Sequence, residues 1–182
     1  MTRLPAYLEY SLILLAFVTS VTDIQSRRIP NWTVVAGFAA GLIGNVYAFG
    51  WMGLRTSLLG FLCGFALYLP LYLLQGRGGG DLKLMAAMGA ITGYPNFLFL
   101  FLLTSVLGGI FAIGYLLIRG GMIRALSNVL FILKELLLLR PPSLGRPELS
   151  IENAKALTMP HAVVAAIGAL LFLTLARLAN SN

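Results

Sequence analysis

The chain has one cysteine, one histidine and only two aspartates in 182 residues, and 10% of its residues are charged. A lone cysteine, Cys63, excludes a disulfide within the chain and a zinc site built on several thiolates. With one histidine, His161, and no serine in a nucleophile motif, Ser-His and Cys-His hydrolytic machinery is also absent. Soluble domains carry about a quarter charged residues, so this scarcity excludes an ordinary soluble globule. What is plentiful is apolar: 59% of the residues are hydrophobic, and the mean hydropathy is +0.90. The net charge of +7 does not point to nucleic acid, because the basic residues are scattered between apolar runs and form no stripe or groove. The partner that the composition implies is a lipid bilayer.

Spanning about 30 Å of hydrocarbon takes about 20 apolar residues. That ruler marks segments near residues 5–22, 31–49, 54–74, 82–93, 96–118 and 158–178. The expected fold is therefore an all-α integral membrane protein with six transmembrane helices, forming one domain over residues 1–182. Arg27, Arg28, Arg77, Lys83, Arg119, Arg124, Lys134, Arg140, Arg146 and Lys155 fall on one side of these segments, and only Arg3, Arg55 and Arg177 on the other. Basic loops stay inside, which places the first side in the cytoplasm, both termini outside, and the chain in the cytoplasmic (inner) membrane. The inner loop 119–157 contains RALSNVLFILKELLLLR, whose polar residues share one helical face. It predicts an amphipathic helix at about 124–139, lying on the cytoplasmic surface between the fifth and sixth spans. Gly37 with Gly41, and Gly60 with Gly64, are small residues four apart that let helices approach closely in lipid.

Both aspartates, Asp23 and Asp81, fall at cytoplasmic ends of segments. Each has a structural reading: Asp23 as a partner for Arg27 four residues on, Asp81 as the N-cap of the fourth segment. Carboxylates at a membrane edge are costly and by default mark function. The other acids, Glu9, Glu135, Glu148 and Glu152, read as solvated charges. The fourth segment, about 12 residues long, is too short to span, which would recess Asp81 below the inner surface. Gly78, Gly79 and Gly80 before it predict irregular backbone that an extended peptide can approach closely. Two carboxylates facing one water can hydrolyse a peptide bond with no metal, cofactor or covalent intermediate. Asp23 ends one helix and Asp81 begins another, so helix dipoles predict that Asp23 more often holds a shared proton.

Gly78-Gly79-Gly80-Asp81, a GxGD motif followed by Lys83, and the run DIQSRRIPN from Asp23 to Asn31 together resemble the two signatures of type IV prepilin peptidases. These are GxGD-type membrane aspartic proteases that remove short basic leaders from pilin precursors on the cytoplasmic side. The resemblance covers nearly the whole chain, including Met159-Pro160-His161. It implies that Asp23 and Asp81 are the catalytic pair and that Gly78 and Gly80 are the motif glycines, with Gly79 between them. Lys83, Arg28, Pro30 and Asn31 fall at flanking positions near the substrate's approach. The implied partner is a prepilin or pseudopilin precursor with a basic leader and an apolar helix. Long members of the family carry a cysteine-bearing N-methylation domain, for which this chain has neither room nor cysteines. The short peptidase-only form, similar to enzymes of tight-adherence (Flp) pilus systems, is expected.

Rival readings are an archaeal-type preflagellin peptidase, a proton-coupled transporter and a non-enzymatic subunit of a secretion machine. Against a transporter, the chain shows no internal repeat and both acids lie at one edge. Against a presenilin-like protease, Thr22-Asp23 lacks the Tyr-Asp pair of that family.

Overall fold

The computed structural model describes residues 3–73, 79–119 and 161–180, with positions 127, 130, 131 and 134 between them. Among the described residues every regular element is an α-helix: α1 (Ala6–Ser26), α2 (Asn31–Leu73), α3 (Gly79–Thr92), α4 (Asn96–Arg119) and α5 (His161–Ala179). Four of them, α1, α2, α4 and α5, are long and apolar enough to cross a membrane. Apart from those four isolated positions, the surface helix expected at 124–139 lies outside the described residues, as does Gly78.

α2 is two helices joined at Gly50, whose φ of 59° and ψ of −135° are not helical. Only glycine adopts that conformation without strain. The chain reverses there, since the rings of Phe38 and Phe61 stand 4.8 Å apart, whereas a straight helix would separate them by roughly 35 Å. Its arms, residues 31–49 and 51–73, correspond to the second and third apolar segments.

α3 is the centre of the bundle. Its 14 residues reach only about 21 Å, and every residue from Leu84 to Thr92 is buried. Small and apolar side chains on all its faces let other helices close around it. A Cβ on Gly60 of the second arm would collide with the carbonyl oxygen of Gly89, so these two backbones touch because neither residue has a side chain. On the first arm, a Cβ on Gly41 would lie 2.6 Å from the Ala90 carbonyl carbon. Asn45 Nδ2 donates to the carbonyls of Ala90 (3.0 Å) and Ile91 (3.1 Å), and Ser57 Oγ donates to Ala90 at 2.8 Å. Polar side chains inside the apolar bundle are thus spent on backbone acceptors at the centre.

Gly41 lies beside Ala90 and Asn31 beside Lys83, so the first arm runs parallel to α3. Gly60 meets Gly89 and Gly64 meets Met85, so the second arm runs antiparallel to it. α1 is antiparallel to α5: Glu9 contacts Arg177 at one end, and Ser20 contacts Ala162 at the other. α4 is likewise antiparallel to α5, with Gly168 on Thr104 and Gly108 facing Val164. Among the described residues, with the two arms of α2 counted separately, these six helical segments alternate in direction.

Glu9 departs from the expectation of a solvated charge. It is 3% exposed and accepts from Arg177 Nε at 3.1 Å, with Nη2 of the same guanidinium also on its Oε2. The apolar pattern could not show this pairing, because its two members lie at opposite ends of the chain. Together they tie the first helix to the last.

Candidate active site

α1 does not stop where its apolar run ends. It continues through Asp23 to Ser26 and is closed by Arg27 in the left-handed conformation (φ 51°, ψ 31°), whose N–H donates to the Asp23 carbonyl at 2.9 Å. The Asp23 side chain is partly buried, and its Oδ2 accepts the backbone N–H of Ala162 at 3.1 Å. A helix leaves its first four amides without an intrahelical acceptor, and Asp23 supplies one for α5. The same residue is held from the other side, because Ser20 Oγ donates to the Ala162 carbonyl at 3.1 Å.

The Asp23 carboxylate therefore lies at the C-terminal end of α1 and also against the N-terminal turn of α5, where two helix ends of opposite polarity meet.

Asp81 sits in the first turn of α3 and is partly buried. Gly79 and Gly80 are helical, which corrects the expectation of irregular backbone at these two positions. A Cβ on Gly80 would lie 3.3 Å from Ile29 Cβ, and one on Gly79 would lie 3.3 Å from the Tyr72 ring. Their lack of side chains lets the loop after α1 and the end of the second arm close over the start of α3.

The stretch from Arg28 to Asn31 thereby joins the two aspartate-bearing helices. Ile29 covers Gly80, the Pro30 carbonyl accepts Thr33 Oγ1 at 2.7 Å, and Lys83 Nζ donates to Asn31 Oδ1 at 2.9 Å on the exposed surface. Arg28 is exposed on the same loop. Asp23, Arg28, Pro30, Asn31, Gly79, Gly80, Asp81 and Lys83 therefore lie at one end of the bundle, while the Glu9–Arg177 pair lies at the other.

Sequence reasoning left one pair at this end unread. Tyr68 Oη and His161 Nε2 are 2.9 Å apart, both buried at 3% and 9% exposure. A tyrosine hydroxyl inside an apolar run needs a buried partner, and the only histidine of the chain opens the last helix. Those were the available signals, but nothing in the sequence joined them.

A family model described as the type IV leader peptidase family matches residues 10–113, a range that includes both aspartates. Over 129 residues the chain is 31% identical to a prepilin leader peptidase/N-methyltransferase of Aeromonas salmonicida, covering 65% of this chain and 44% of that protein. It is 36% identical over 89 residues to the prepilin peptidase EppA of Methanocaldococcus jannaschii, covering 49% of this chain and 24% of that one. A prepilin leader peptidase/N-methyltransferase of Pseudomonas putida is 30% identical over 119 residues, with 62% and 40% covered. These alignments span less than half the length of each of these relatives. No solved structure matches significantly.

Proposed function

Because the chain belongs to the type IV leader peptidase family, we propose that it is a membrane aspartic endopeptidase that cuts the basic leader from type IV prepilins or pseudopilins of the Flp type. The observation that carries this reading is the gathering of Asp23 and Asp81 at one end of the bundle, with the Arg28–Asn31 loop lying between their helices. Arg27, Arg28 and Lys83 lie at that end, whereas Arg3, Arg55 and Arg177 lie toward the other, which supports a cytoplasmic site. With the two arms of α2 counted separately and α3 as the short central segment, the described residues make six passes through the bilayer region in this reading.

In this reading the apolar helix of the substrate lies in the bilayer, and its cut site meets the aspartates at the membrane edge. Two nearby carboxylates share one proton, because like charges at close range do not both ionise easily. The ionised one takes a proton from water as the water oxygen bonds to the scissile carbonyl carbon. The protonated one then supplies the proton that the amine nitrogen needs as the C–N bond breaks. Lys83, Arg28, Pro30 and Asn31 border the approach of an extended peptide, with Ile29 and Tyr72 packed on Gly80 and Gly79 at the start of α3.

Co-expression with a Flp-type prepilin tests this reading, with cleavage followed as a mobility shift. Wild type cleaves, and Asp23→Asn and Asp81→Asn both abolish cleavage at equal membrane levels. Persistent cleavage in either variant would remove that aspartate from the reaction.

A further inference from the structure

We infer that Tyr68 is a positioning residue for this site, holding the Asp23 carboxylate in place through His161 and the first turn of α5. The inference rests on the peptidase reading above, but its decisive measurement does not require turnover.

The amide that Asp23 accepts belongs to the peptide unit joining His161 to Ala162. Peptide units are planar, so the direction of that N–H is fixed by where the backbone of His161 and Ala162 is held. Ala162 is fixed from α1 by Ser20 Oγ on its carbonyl. His161 is fixed from the second arm of α2, where Tyr68 Oη meets its Nε2 at 2.9 Å. The Tyr68 ring is itself wedged edge-on against Phe101 of α4, with centroids 6.0 Å apart and planes at 80°. Three helices therefore set the position of one N–H, and that N–H holds Asp23.

The start of a helix is its least constrained part, since its amides have no partners within the helix. Removing the Tyr68 oxygen releases one of the ties on the first turn of α5. A shift of a few tenths of an ångström there rotates the amide and carries the Asp23 carboxylate with it. Reacting groups tolerate little such displacement, and about 1 Å can cost a hundredfold in rate. A single buried hydrogen bond sets a smaller scale, about three- to tenfold.

The test exploits the sparse composition. Asp23 and Asp81 are the only aspartates, so protein labelled with 13C at the aspartate carboxyl carbon gives two side-chain signals, assigned with Asp23→Asn. In the full chain in nanodiscs, Tyr68→Phe shifts the Asp23 signal and leaves that of Asp81 in place. In the cleavage assay the same variant lowers kcat about three- to tenfold, with KM within about twofold of wild type. His161→Gln, whose amide can still bond to Tyr68, restores most of both values relative to His161→Ala. An Asp23 signal unmoved by Tyr68→Phe, or one that moves equally with Asp81, overturns the inference. If wild type cleaves no prepilin, the proposed function falls, and the Asp23 signal still decides whether Tyr68 positions that carboxylate.

Discussion

Asp23 Oδ2 accepts the backbone N–H of Ala162 at 3.1 Å, so a carboxylate on the first helix completes the first turn of the last. The side chain thus has a structural duty besides any catalytic one, and different substitutions separate the two. Asparagine retains a carbonyl oxygen that can accept the same N–H, whereas alanine leaves it without that partner. Asp23→Asn is expected to melt within a few degrees of wild type in detergent. Asp23→Ala is expected to lose about 1 kcal/mol, read as a lower melting temperature. Equal melting of the two variants would show that the Ala162 contact contributes nothing to stability.

Glu9 and Arg177 predict an asymmetric pair of variants. The carboxylate is buried while the guanidinium side chain is 54% exposed, so the two groups do not suffer equally when the other is lost. Arg177→Met leaves a buried negative charge without its partner, which is costly. Glu9→Gln keeps an acceptor for the guanidinium and leaves the arginine able to reach water. Arg177→Met is therefore expected to lower the melting temperature by more than Glu9→Gln does. The opposite order would mean that the carboxylate is solvated as the sequence suggested.

Much of the fold was legible because apolar length is a strong signal in a chain that crosses hydrocarbon. The six apolar runs correspond to α1, the two arms of α2, α3, α4 and α5, and the shortness of α3 followed from counting residues. Its place at the centre did not follow, since α3 is small and apolar on every face and its sequence names no preferred neighbour. The end of α1 was missed by four residues because an apolar ruler stops near the first charge, whereas the helix runs on to Ser26 before Arg27 turns it. For the site, the two aspartates stood out by rarity and by motif. The contacts that seat Asp23 on Ala162 and join Tyr68 to His161 link positions 139 and 93 residues apart. They depend on how helices are rotated about their axes, which runs of uniformly apolar residues do not encode.

The contact between Lys83 and Asn31 joins two exposed residues, and water competes for both groups. Its contribution to stability is expected to be below about 1 kcal/mol. A double-mutant cycle of Lys83→Ala and Asn31→Ala, measured on reversible unfolding in detergent, checks this through the coupling energy. A coupling of several kcal/mol would instead make the loop after α1 a principal clamp on α3.

Glycines in this chain divide by what surrounds them, and one conservative substitution distinguishes the two kinds. Gly89→Ala places a methyl group against the Gly60 carbonyl oxygen, where backbone faces backbone and no flexible side chain can yield. The helices must separate, at a cost of about 1–3 kcal/mol or more. Because α3 is enclosed by both arms of α2, separation there also loosens the hydrogen bonds that Asn45 and Ser57 make to Ala90. Gly109 on α4 has nothing within 4 Å of an added Cβ, and alanine favours a helix by up to about 1 kcal/mol over glycine. Gly109→Ala is expected to melt at or slightly above the wild-type temperature, and Gly89→Ala well below it. If both substitutions were neutral, the close approach of α3 to the second arm of α2 would not be holding the bundle together.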